Sequence, residues 1–178
     1  DIAFGLNLSN IGGKVNYGLD KEYFLPMNIK LGTAFTLAPD LQNKFNFLLD
    51  FNKLLVPTPQ VDGTLPSYST MGAIFKSFGD APDGFAEEMR EITTSIGAEY
   101  IYENLLAVRA GYFFEPISKG GRKYVTLGAG VKLKEQYGLD LAYLIPTTSG
   151  NPLANTWRIS LNLNLPQKAQ STTALDAL

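Results

Sequence analysis

Hydrophobic and polar residues alternate with a period of two along most of the chain. Ile2, Phe4, Leu6 and Leu8 alternate with Ala3, Gly5, Asn7 and Ser9. The same alternation recurs over Leu25–Leu37, Phe45–Asn52, Ile92–Tyr102, Leu106–Phe114, Val125–Leu133, Leu139–Ile145 and Trp157–Leu165. A period of two is the signature of a strand with one buried or lipid-facing side. Each run has one apolar face and one face of small or polar residues, such as Gly128, Gly130, Asn162 and Asn164. The pattern predicts an all-β, antiparallel protein with eight readable strands of about ten residues each, the length that crosses a bilayer in a tilted β-barrel.

Such alternation also suits a soluble sandwich or a lipocalin-like barrel, in which the apolar face points to an internal core. Two features favour the membrane barrel. Long connections (Asn10–Phe24, Val56–Glu91, Glu115–Arg122, Pro146–Asn155) alternate with short turns (Ala38–Lys44, Glu103-Asn104, Lys134–Gly138), as in outer-membrane barrels with long outer loops and short periplasmic turns. Counting back across the turns also sets Glu99 opposite Arg109 and Lys132 opposite Asp140. Opposed unlike charges on a face of Gly and Ala fit an ion-paired lumen lining. Aromatics near strand ends (Tyr100, Tyr102, Tyr112, Phe114, Trp157) fit interfacial girdles.

The expected organisation is a barrel segment over residues 1–165, with 56–91 as a long extracellular loop, and a polar tail over 166–178. Asp1 is not an initiator Met, and no basic segment precedes an apolar run. The chain is therefore expected to start within a processed or partly observed protein, in mid-strand.

Composition narrows the chemistry. A net charge of −2 over 178 residues offers no basic face for nucleic acid. The absence of His and Cys removes the Ser-His and Cys-His nucleophile schemes, disulfides and most zinc sites. No nucleophile–base pair is visible, so the expectation is no enzyme, no cofactor and no metal. An enzyme would rest on scattered Ser, Tyr or carboxylate groups.

The long connection carries its own structure. Pro57, Pro59 and Pro66 keep its first part extended. Met71, Ile74, Phe75 and Phe78 fall at helical spacing, and Asp83–Arg90 reads as a second short helix with Asp80 or Asp83 as its cap. Ile74, Phe75, Phe78 and Phe85 either fold the loop onto the barrel rim or meet a partner protein or lipid-like ligand. Asp80, Asp83, Glu87, Glu88 and Glu91 lack the spacing of a metal loop and read as a solvated helix face. Lys119-Gly120-Gly121-Arg122 lies between strands, not before a helix. It reads as a hairpin loop whose Lys119 and Arg122, with Lys123, could touch lipopolysaccharide phosphate.

Several stretches resemble the PorV family, outer-membrane components of the type IX (Por) secretion system of Bacteroidetes. They begin at Leu49–Pro59 and continue through Ser77–Glu88 and Gly97–Tyr100. The strongest is Arg109-Ala110-Gly111-Tyr112-Phe113-Phe114-Glu115, followed by Lys119–Tyr124, Thr126–Gly130 and Asn155–Leu161. The resemblance implies the C-terminal part of a fourteen-stranded FadL-like barrel. A small closed barrel of eight strands is the alternative. It further implies a shuttle that receives secreted cargo, through the cargo's C-terminal signal domain, at the translocon barrel and passes it to the surface attachment complex. Partner contacts are then expected at Ile74, Phe75, Phe78 and Phe85, with Phe113 and the Lys119–Arg122 loop as weaker candidates. A FadL-like transporter of hydrophobic small molecules and a lipid A O-deacylase are the alternative functions.

Overall fold

The computed structural model describes residues 1–16, 18, 22–59, 66–134, 136–147 and 156–164. The tail at 166–178, Leu165 and the loop residues 148–155 lie outside them. The strands are β1 (Ile2–Ser9), β2 (Val15–Asn16), β3 (Glu22–Tyr23), β4 (Asn28–Leu37), β5 (Asn43–Leu54), β6 (Thr93–Tyr102), β7 (Leu106–Phe114), β8 (Lys123–Leu133), β9 (Tyr137–Pro146) and β10 (Thr156–Leu163). Two helices, α1 (Thr70–Lys76) and α2 (Phe85–Arg90), interrupt the connection between β5 and β6. β4 begins at Asn28 rather than Leu25; Pro26, without an N–H, cannot serve the ladder.

Strands β1 and β4 to β10 form one antiparallel sheet in the order β1-β4-β5-β6-β7-β8-β9-β10, and β2-β3 is a separate small ribbon. Among the described residues β1 and β10 do not pair. The sheet is open, which corrects the closed eight-stranded alternative.

Register carries the alternation across every strand. Leu6 lies opposite Leu31, Leu31 opposite Phe51, Leu49 opposite Ile96, Ile96 opposite Tyr112, and Leu141 opposite Ile159. The apolar side chains thus merge into one continuous face. Over most of its area it is uncovered: Phe4, Leu6, Ile159 and Leu161 are all exposed. A soluble sandwich would pack this face against a second sheet. The small buried core lies elsewhere, where Met27, Leu55 and Ala73 meet beneath α1. No described helix is long and apolar enough to cross a membrane.

Candidate functional site

The β5–β6 connection is built as a docked platform. Ser69 caps α1, its hydroxyl accepting from the Gly72 N–H at 3.1 Å. Neither Asp80 nor Asp83 caps α2, contrary to the sequence expectation. Gly84 holds the cap position with a φ of 71°, a left-handed conformation that glycine adopts without strain. Asp80 is engaged elsewhere, accepting from the Thr58 N–H and hydroxyl, both at 3.2 Å.

The platform sits on the outward side of the sheet. β5 alternates Phe47, Leu49 and Phe51 outward, and Lys53 follows in the same phase. Met27 and Leu55 flank this position and hold Ala73 of α1, with Ile74 packed against the cluster. Ile74 therefore docks the loop. Phe75, Phe78 and Phe85 point away from the core, with Phe75 72% and Phe85 76% exposed.

Lys53 would place a bare charge on an apolar face, and α2 covers it. Its ammonium donates to Glu88 at 2.9 Å and to Glu91 at 2.6 Å. Lys53 and Glu88 are 8% and 4% exposed, so the pair is buried. Glu88 also accepts from the Ala81 N–H at 2.9 Å, and Glu91 from the Thr58 hydroxyl at 2.8 Å. Lys119, on a 3-10 turn at Ile117–Lys119, reaches Glu87 at 2.6 Å and Glu91 at 2.9 Å. The acidic cluster is thus an ion-paired clamp, which corrects the solvated face. Lysines arriving from β5 and from the β7–β8 connection draw Glu87, Glu88 and Glu91 inward.

The ionisation of the clamp follows from these contacts. Burial pushes the Glu91 carboxyl up, but hydrogen bonds from Lys53, Lys119 and Thr58 outweigh it and hold its pKa below the usual carboxylate range. Burial likewise opposes the Lys119 ammonium, and the bonds to Glu87 and Glu91 raise its pKa above the ordinary value. Glu87 is held low by Lys119, and Asp80 is raised by its own desolvation.

Beside the clamp, Glu115 accepts two bonds from the Arg122 guanidinium, at 2.8 and 2.7 Å. Lys119 and Arg122 are thereby committed to carboxylates. The Lys123 ammonium lies 4.9 Å from the Phe114 ring centroid. Phe113 stacks on Tyr124 with ring centroids 4.8 Å apart. Together with Leu54, Pro57 and Pro59 they border a cavity of about 450 Å³ at the long-loop end of the polar face.

A second constellation lies on the polar face near the short turns. The β6–β7 turn has three residues, so Glu99 faces Arg109 and is bonded by its Nε. The expected Lys132–Asp140 pairing does not form. β9 starts at Tyr137, so Leu133 pairs with Tyr137, Lys132 with Gly138, and Asp140 with Gly130. Arg109 instead reaches across β8 over Gly130 and donates to Asp140 through Nη1. Thr36 donates to Asn46 at 2.8 Å, Asn46 to Glu99 at 2.7 Å, and Asn162 to Asp140 at 3.0 Å. The result is a polar ladder running from β4 to β10 with Arg109 at its centre. Sequence reading missed Asn46, Asn162, Lys53 and Thr58. For Lys53 a signal existed: it is a charge in the apolar phase of its strand. No described group of carboxylates is arranged to hold a metal ion.

Residues 2–61, from β1 into the first part of the long connection, match the family model of PorV, the type IX secretion system protein. No curated protein matches the chain. The matched segment contains the resemblance at Leu49–Pro59, together with Met27, Lys53, Leu55 and Thr58 of the platform; the stretches from Ser77 onward lie beyond it. Over residues 2–61, about a third of its length, the chain is thus similar to the PorV family of type IX secretion system proteins.

Proposed function

We propose that this type IX secretion component forms part of an outer-membrane barrel wall and binds secreted cargo through the platform between β5 and β6. It receives the cargo's C-terminal signal domain at the translocon barrel and passes the cargo to the surface attachment complex. The apolar sheet face meets lipid, the long connections lie outside the cell, and the polar ladder lines the lumen. The observation that carries the reading is a clamped loop presenting large apolar groups to its surroundings. Lys53 and Lys119 hold α2 in place while Met71 and Phe75 of α1 stand exposed. A surface that is ordered before binding loses less conformational entropy on association, and exposed aromatic clusters mark interaction sites. Shuttling and scaffolding require no bond chemistry, so the protein acts without a catalytic residue or cofactor.

The test is Phe75→Glu in the full protein. Cargo and translocon proteins should be lost from its co-purification, while heat-modifiable migration on gels stays as in the parent. Unchanged co-purification refutes the role of this loop. The cavity beside Phe113 and Pro57 supports a second reading, carriage of a hydrophobic small molecule in the FadL manner. Native mass spectrometry should then find a bound acyl compound, and its absence counts against carriage.

A further inference from the structure

The platform does not present its apolar groups evenly. Met71 and Phe75 lie at i and i+4 on α1, opposite the buried Ala73, and Phe78 follows beyond the end of the helix. On α2 the acidic side (Glu87, Glu88, Glu91) is drawn to Lys53 and Lys119, leaving Phe85 and Met89 on the other side. Phe78, Phe85 and Met89 then face Ile29, Leu31 and Phe51 across a largely apolar groove of about 180 Å³, at one edge of which lies the paired Lys53 and Glu88. Those three strand residues belong to the continuous outward face of β4 and β5. The groove is therefore continuous with the long-loop end of that apolar face.

We propose that Phe78, Phe85 and Met89 are seated in the acyl chains of the outer leaflet, so that α2 is an interfacial anchor and only the Met71–Phe75 side of the platform remains for protein partners. The proposal rests on the reading that the apolar sheet face meets lipid. Three observations converge on lipid as the occupant. The groove is continuous with that face. α2 has the division of an interfacial helix, charges on one side and large apolar groups on the other. Lys53, which would otherwise stand bare in the apolar phase at this edge, is neutralised and buried by the same helix, as a charge bordering hydrocarbon must be.

Residues 1–178 contain no Cys, so a single introduced Cys has no competing thiol within them, and any Cys outside them is replaced by Ser. The full protein carrying Phe85→Cys or Met89→Cys is labelled with a nitroxide and reconstituted in phosphatidylcholine vesicles. Ile159→Cys on the outward face of β10 and Gln42→Cys in the β4–β5 turn serve as references. Accessibility is read by power saturation with oxygen, which partitions into acyl chains, and with a water-soluble nickel chelate. The expected result is loss of nickel accessibility at 85 and 89 to the level of Ile159→Cys, with high oxygen accessibility retained. Nickel reaching both labels while Ile159→Cys stays shielded overturns the anchor and leaves the lipid-facing sheet intact. Shielding of 85 and 89 from both reagents means that protein covers the groove and also overturns it. Nickel reaching Ile159→Cys removes the lipid-facing reading itself, and the anchor with it.

Discussion

Replacing Lys53 by Met isolates what holds the platform down. The wild-type ammonium lies between Glu88 and Glu91, and Lys53 and Glu88 are almost fully buried. Met keeps much of the length and apolar stem, so packing changes little while the charge disappears. Glu88 and Glu91 then lose their shared cation. Breaking a buried ion pair from one side costs about 3–5 kcal/mol, because the abandoned charge remains desolvated. The helices lie in the β5–β6 connection and pair with no strand, so the cost falls on their docking and not on the strand ladder. The opening equilibrium should rise by roughly two to three and a half powers of ten. Hydrogen exchange read by mass spectrometry on peptides covering α1 and α2 checks this, with β8 and β9 as the internal standard. Adding Glu88→Gln to Lys53→Met should return part of the protection, since the pair is then absent from both sides. Unchanged exchange in the helices of Lys53→Met would refute the clamp, and equal acceleration in β8 and β9 would show that the effect is not local.

The same clamp sets a pH dependence. Glu87, Glu91 and Glu115 have pKa values below the ordinary range in the folded protein, so their contribution is present above about pH 4.3 and is lost as the pH falls through their lower folded values. Asp80, raised by burial, acts in the opposite sense: its contribution is present below about pH 3.9 and disappears as the pH rises. Of these, Glu87 and Glu91 hold the platform through Lys53 and Lys119 and outnumber Asp80, so proteolysis within 56–91 should accelerate on acidification, before heat-modifiable migration is lost; a rate flat down to the pH of barrel unfolding would contradict this. On the polar face, Gly130→Ala would drive a Cβ into the Asp140 carboxylate and against Arg109 Nη1. The bridge over β8 must then open, lowering stability by about 1–2 kcal/mol, visible as a lower temperature of heat modification. Gly5→Ala, where a Cβ meets nothing within 4 Å, should leave that temperature unchanged.

Much of this protein is legible in its sequence. A period-two alternation assigns each side chain to a face, and shifting a strand by one residue would exchange the faces throughout. The strand runs, their faces and the Glu99–Arg109 opposition therefore follow from local pattern, as do the short helices from the spacing of Met71, Ile74, Phe75 and Phe78 and from the run Asp83–Arg90. A shift by two residues, however, leaves every face unchanged. Alternation alone could not choose between Leu133–Leu139 and Leu133–Tyr137, and the three-residue turn made that choice. With it Asp140 passed from Lys132 to Arg109, because a glycine on β8 leaves the long guanidinium free to cross a whole strand. The platform was likewise settled only in three dimensions. Glu87, Glu88 and Glu91 read as a solvated face because nothing local says that Lys53 and Lys119 will meet them. Those lysines lie some thirty residues or more away along the chain, and their attraction is decided by where the strands end. Periodicity determines which way a residue points, whereas the partner it meets depends on turn length, side-chain reach and the docking of distant segments.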